Sequence, residues 1–179
     1  MKKILIGTIV GGILLFFLQF LSWGLLNIHR SEMSYTDKQD AVIEFLSENL
    51  HEGNYYIPLP APGSSNEEAE LEMKESVGRP WAMIQYHESM EYNMGLNMIR
   101  GLVVDLLAVF VLIWFLMKFS VVDFKNSVLG ALAVGFIGYL TVNYTNAIWF
   151  EADTWAALLD VVVQWGIVGS WLGFWLGRK

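Results

Sequence analysis

Four long apolar runs organise this sequence, and lysine and arginine are sorted to one side of them. Ile4–Ile28 carries no charge and Val128–Trp149 none, while Leu102–Met117 and Trp155–Leu176 hold one acid each, Asp105 and Asp160. Each run is long enough, or nearly so, to cross a hydrocarbon core of roughly 30 Å at about 1.5 Å per residue. Lipid offers no water to bare backbone groups, so such runs must be helical. The pattern predicts a membrane all-α architecture, a bundle of four transmembrane helices.

Charge supplies the orientation. The N-terminus, the segment between the second and third spans, and the C-terminus share one side. There Lys2, Lys3, Lys118, Lys125, Arg178 and Lys179 stand against the single acid Asp123. The opposite side holds Arg30, Lys38, Lys74, Arg79 and Arg100 against fifteen of the chain's 18 acids. Basic residues flanking short loops stay cytoplasmic. Both termini are therefore expected in the cytoplasm, residues 29–97 outside it, and the spans in a bacterial inner (plasma) membrane. Met1-Lys2-Lys3 before an apolar run also begins a secretory signal. Here the run is too long, and Trp23, Asn27 and His29 stand where a small-residue cleavage site is needed, so a retained anchor is expected.

The formal charge of -7 mostly reflects the solvated face of that outer domain and does not call for a basic partner. The absence of cysteine excludes disulfides, thiolate metal sites and cysteine nucleophiles. No basic patch with interleaved aromatics points to nucleic acid.

The outer domain reads as a small α+β cap. Thr36–Leu50 has the apolar spacing of an amphipathic helix, through Ala41, Val42, Phe45, Leu46 and Leu50, with Thr36 as its expected N-cap. Tyr55–Ile57 and Trp81–Tyr86 read as two strands able to pair, joined through an alternating-proline exit, an acidic helix over Ser64–Ser76 and a Gly78-Arg-Pro turn. Met90, Met94 and Met98 recur every fourth residue on a helix leading to the second span. With His87 nearby they raise copper(I), which prefers thioethers, but adaptable packing is the favoured reading. His29, His51 and His87 are too scattered to argue for zinc.

Inside the spans, polar groups cluster in one leaflet. Gln19, Ser22 and Asn27 lie in the outer half of the first span, Asp105 in that of the second, Thr141, Asn143, Thr145 and Asn146 in that of the third, and Asp160 and Gln164 in that of the fourth. The inner halves of the last three spans are almost wholly apolar. Intramembrane charges cost about 2.5–3.5 kcal/mol on insertion scales and face a bundle interior or cavity. A shared polar pocket of Asp105, Asn143, Asn146, Asp160 and Gln164, open to the outside, is the expectation, with Arg100 within reach of Asp105. Such a cluster binds a cation, proton or small polar ligand, or supplies interhelical hydrogen bonds worth about 0.6–2 kcal/mol each. No proline interrupts a span and nothing polar continues to the inner face, which speaks against a through-going path.

Small residues recur at four-residue spacing, Gly169, Gly173 and Gly177 on the fourth span, Ala131 and Gly135 on the third, Gly7 and Gly11 on the first. They allow close helix approach, either within one chain or between two copies or a protein partner.

The stretches Gly11–Trp23, Gly53–Pro58, Ile99–Leu107 and Leu158–Gly166, with the glycine-rich tail, resemble an uncharacterised family of small four-span bacterial inner-membrane proteins. That resemblance implies the architecture and a pattern of Arg100, Asp105 and Asp160, and no particular reaction.

The expected organisation is residues 1–28 as N-terminus and first span, 29–97 as the extracytoplasmic cap, and 98–179 as spans near 98–118, 127–149 and 155–177. The expected function is a non-enzymatic partner or ligand-binding protein, with no cofactor, acting through its cap and outer-leaflet pocket. Alternatives are a membrane enzyme using Asp105 and Asp160 as an acid/base or metal pair, and, third, a small transporter.

Overall fold

A computed structural model describes residues 1–178, which form two compact units. The first comprises Met1–Ser34 and the chain from Asn93 onward; the second is Tyr35–Tyr92.

The first unit holds four helices long and apolar enough to cross a membrane: α1 (Lys2–Leu25), α4 (Met94–Leu116), α5 (Phe124–Phe150) and α6 (Trp155–Leu176). Their ends follow local chemistry. Asn27, at φ 53, takes the left-handed conformation that stops α1. The Asn93 side chain accepts from the Leu96 amide at 3.0 Å and starts α4 four residues before the expected 98. Asp123 caps α5 in the same way through the Asn126 amide at 2.7 Å, and left-handed Glu151 follows its end. Lys3, Lys118, Lys125 and Arg178 thus gather at one end of the unit, called here the basic end, opposite a far end that carries Ile28–Glu32 and the α5–α6 turn.

Small residues set the packing. α1 lies against α4 and α6, and α5 against α6. A Cβ at Gly12 would meet the Leu106 Cα at 2.9 Å, and one at Gly173 the Phe124 Cα at 2.7 Å. Gly169 is equally close to Ala131 and Val128. Gly169 and Gly173 are therefore packed within the chain against α5. Leu15, Val109, Leu112, Ile113, Leu116, Ala131, Val168 and Leu172 form the buried core. Between helices that lipid surrounds, such a core gains from close van der Waals fit rather than from escape from water. α4 and α5 make few contacts, among them Leu116 and Phe119 over Gly130 at the basic end, and the gap beyond widens into a groove.

The second unit contains α2 (Gln39–Asn49), β1 (Gly53–Ile57), α3 (Asn66–Ser76) and β2 (Ala82–Tyr86). The strands pair antiparallel, with Gly53 opposite Tyr86 and Ile57 opposite Ala82, which is the pairing expected from the aromatic runs. Gly78 turns the chain at φ 82, where a side chain would be strained. α3 begins with a reciprocal capping box: the Glu68 amide donates to Ser65 Oγ, and the Ser65 amide donates to Glu68 Oε2 at 2.8 Å. That backbone hydrogen bond, with the Ser65 side chain second, holds the Glu68 carboxyl below its usual range. α2 departs from expectation in two ways. Thr36 is not its cap but accepts from the Lys38 amide in the preceding turn, and none of its apolar residues is fully buried. Val42, Ile43 and Phe45 are 47%, 58% and 63% exposed. Met90 precedes α4, so only Met94 and Met98 share that helix.

Candidate functional site: a polar core toward the far end

Two residues of α1 hold the acids of the neighbouring long helices. Gln19 Nε2 donates to Asp105 Oδ1 at 3.1 Å, and Ser22 Oγ, one turn further on, donates to Asp160 Oδ1 at 2.7 Å. Asp105 and Asp160 are thus held by successive turns of one helix, from α4 on one side and α6 on the other. Gln164 lies about 6 Å deeper than Asp160 along α6, at roughly the level of Gln19 and Asp105. Measured from the basic end, Asp105 stands about 20 Å from Lys118 and Gln164 about 21 Å from Arg178. In a hydrocarbon layer of roughly 30 Å the group occupies the far third.

The far side of Asp160 is closed by a histidine. His29, in the short helical turn Ile28–Glu32, places Nε2 3.0 Å from Asp160 Oδ2 and Nδ1 2.9 Å from Glu32 Oε1. The indole of Trp23 stacks on the imidazole, centroids 3.8 Å apart and planes within 3°. A neutral imidazole donates from one nitrogen only. Both contacts are hydrogen bonds together when the ring carries two protons, or when one of the carboxyls brings a proton itself. A cationic ring would also favour the indole face. His29 is 6% exposed, so Asp160 sits beneath a lid of stacked rings.

The order of the contacts is chemically informative. Ser22 donates to the aspartate and the histidine bonds the same aspartate, so the imidazole hydrogen-bonds to the acid and not to the hydroxyl. A nucleophilic triad needs the histidine between serine and acid. This arrangement holds three backbone segments together and leaves the serine protonated.

Two polar atoms in the core are unmatched. Asp105 and Gln164 are 4% and 6% exposed, and Asp105 Oδ2 and Gln164 Nε2 are buried without a hydrogen-bond partner. Three of the four long helices also widen here into π turns, Leu21–Leu25 in α1, Tyr139–Tyr144 in α5 and Val161–Trp165 in α6. Such single-turn insertions redirect side chains and accompany functional sites. Ser22, Tyr139, Asn143 and Gln164 all lie in them.

The remaining expected site residues are placed differently. Asn143 is half-buried and lines the α4–α5 groove rather than contacting either acid. Asn146 and Arg100 are exposed, and the hydrogen bond of Asp105 goes to Gln19, where an Arg100 partnership was expected. Arg100 precedes Asp105 by a turn and a half of regular helix, a spacing that turns it off the Asp105 face. Among the described residues no group of three or more histidines or acids is arranged to hold a metal. His29 and Glu32 were absent from the expected site, although His29 lies a short distance past the end of the first span, level with Asp160.

No protein-family model, curated protein or solved structure matches this chain.

Proposed function

We propose that this chain is a multi-pass integral protein of a bacterial inner membrane, as the sequence resemblance suggests, with both termini cytoplasmic and the Tyr35–Tyr92 unit outside. It acts without catalysis, as a binding protein whose site is the polar core formed by α1, α4 and α6. The observation that carries this reading is the unmatched pair, Asp105 Oδ2 and Gln164 Nε2. Each buried polar atom without a partner costs about 1–3 kcal/mol, and a ligand completing the set recovers that cost. Thr8 Oγ1, Ser127 Oγ and Trp171 Nε1 are buried without a partner too, but among these atoms only Asp105 Oδ2 belongs to an ionisable group, for which an unmet hydrogen bond costs most.

The test is native mass spectrometry of the protein extracted gently from its own membrane. Wild type carries a bound small molecule at near-unit stoichiometry, and the double variant Asp105→Leu, Gln164→Leu, eluting normally on gel filtration, does not. An empty wild type together with a double variant of equal or greater thermal stability would reduce the core to packing.

The Tyr35–Tyr92 unit supports a second role, as a docking module. The uncovered Val42, Ile43 and Phe45 of α2 form an apolar face that a soluble domain rarely leaves bare. Capture of one protein by wild type and its loss on Phe45→Glu would support that role; identical captures would exclude it.

A further inference from the structure

At the basic end, the start of α1 and the ends of α4 and α6 enclose a cleft of about 540 Å³, a size in the range of small-molecule sites. Lys2, Lys3 and Ile4 of α1 line it, with Met117 and Val122 from the chain after α4 and Leu176 of α6. Direct ties hold these segments together. Trp175 Nε1 donates to the Lys3 carbonyl at 2.9 Å, and Lys3 Nζ donates to the Arg178 carbonyl, which joins α1 to the end of α6. Gly177 keeps α6 close to the loop after α4: a Cβ there would stand 3.7 Å from the Val122 carbonyl oxygen and 3.8 Å from the Asp123 Cα.

The cations around this cleft have no acid to serve. Lys2, Lys3, Lys118, Lys125 and Arg178 share this end with one acid among the described residues, Asp123. Its Oδ1 accepts from the Asn126 amide at 2.7 Å and caps α5. Among the described residues, none of these cations pairs with a carboxylate. Lys118 and Arg178 lie over aromatic rings instead, 5.1 Å from the Trp114 centroid and 3.9 Å from that of Phe174. Lys2 and Lys3 are exposed and line the cleft itself. An ammonium has three N–H donors, and Lys3 gives one to Arg178, so donors remain in the cleft.

Charge, lining and depth select the occupant. Ile4, Met117, Val122 and Leu176 give the same cleft an apolar wall. It lies at the ends of the spans, level with Trp114 and Trp175, and indoles concentrate where a bilayer meets water. Lysines beside an apolar wall at headgroup depth suit an anionic amphiphile. A zwitterionic lipid brings its own ammonium, which the lysines repel. A free phosphate has the charge but leaves the apolar wall uncovered.

From these observations we infer that the cleft binds an anionic phospholipid. Its phosphodiester is held by Lys2 and Lys3, and the upper part of an acyl chain lies along Ile4, Met117, Val122 and Leu176. The site is at the opposite end of the spans from Asp105 and Asp160 and does not depend on what that polar core binds.

The experiment uses the full chain in phosphatidylcholine nanodiscs doped with phosphatidylglycerol bearing a diazirine near the glycerol end of one acyl chain, or with the phosphatidylcholine of the same chains. Labelling at Ile4, Met117, Val122 and Leu176 favours the anionic probe by about 25-fold, a factor of about five for each lysine at an anionic surface. Lys2→Gln with Lys3→Gln, eluting as wild type on gel filtration, brings the probes near parity. Lys118→Gln with Lys125→Gln removes the same charge and leaves most of the preference. Equal labelling of the wild type by both probes, spread over exposed α1 residues such as Ile13 and Phe17, means boundary lipid only and overturns the inference. Equal losses from the two lysine pairs mean a diffuse basic surface and overturn it too. Excess inorganic phosphate, compared with chloride at the same ionic strength, leaves the preference in place; its abolition would assign the lysines to a free anion instead of a lipid.

Discussion

His29 Nε2 lies 3.0 Å from Asp160 Oδ2, joining the chain just beyond α1 to α6 across 131 residues of sequence. Together with Ser22 on the other oxygen of the same carboxylate, it decides which way α6 faces α1.

His29→Ala leaves a half-buried carboxylate oxygen without its donor, and a loss of about 1–3 kcal/mol is expected. His29→Gln recovers part of it, because an amide reaches Asp160 but does not serve Glu32 as well. A double-mutant cycle with Asp160→Asn in detergent, read by thermal unfolding, checks the coupling. Additive effects within about 0.3–0.5 kcal/mol would mean that the two side chains are neighbours without energetic connection.

The four apolar helices and the strand pair were legible because periodicity, length and turn residues are local signals. Tyr55–Ile57 and Trp81–Tyr86 announce themselves by aromatic content, and the structure pairs them as expected. Asp105, Asp160 and Gln164 were legible as well, since a polar residue in an apolar run stands out. The partners of those residues were not. Gln19 meets Asp105 only through the close approach that Gly12 allows, and His29 reaches Asp160 only because Asn27 turns the chain back at the end of α1. The π turns leave no trace in the residue pattern, and they shift which residues share a face. Arg100 and Asn146 are exposed: Arg100 is near Asp105 along α4 but off its face, and a shared depth does not bring Asn146 to the acids.

Gly173 is where α6 touches the backbone of α5, and a side chain there has nowhere to go. Gly173→Leu would drive into the Phe124 main chain, so its cost is expected at or above the upper end of the about 1–3 kcal/mol typical of overpacking. Gly138→Leu, pointing into open space, serves as the control and should unfold at nearly the wild-type temperature. Equal stability of the two variants would show that α5 and α6 are not packed through the glycine face.

Glu68 gives the second unit an acid-sensitive joint. Its carboxylate accepts from the Ser65 amide, which holds its pKa in the folded chain below the ordinary glutamate range. A lowered folded-state pKa means that the ionised group favours the capped helix. That contribution is present above the unfolded pKa and fades as pH falls through the folded one. The first turn of α3 should therefore fray below about pH 4.5, near the unperturbed glutamate value. Glu68→Gln keeps a capping-box side chain without the carboxylate, so its α3 shifts should change less across that range than those of the wild type. Backbone chemical shifts of Glu67 and Ala69 in the full chain report the difference, and parallel behaviour of both proteins would remove the role assigned to Glu68.

The orientation rests on Lys2, Lys3, Lys118, Lys125 and Arg178 gathering at one end, and a chain with no native cysteine tests it directly. Single cysteines are placed at Glu67, exposed in the first turn of α3, and at Lys125, exposed in the first turn of α5. With a membrane-impermeant maleimide on intact cells, Glu67→Cys labels and Lys125→Cys does not; after permeabilisation both label. Basic residues flanking short loops resist transfer across the membrane, which is the cause of the expected asymmetry. The reverse pattern would put the basic end outside, turn the polar core toward the cytoplasmic leaflet and reassign the Tyr35–Tyr92 unit to the cytoplasm. Labelling at both sites in intact, protease-resistant cells would mean mixed orientation, in which case the short basic loop between α4 and α5 is too weak to fix the chain. Adding Lys next to Asp123 should then shift the ratio toward a single orientation.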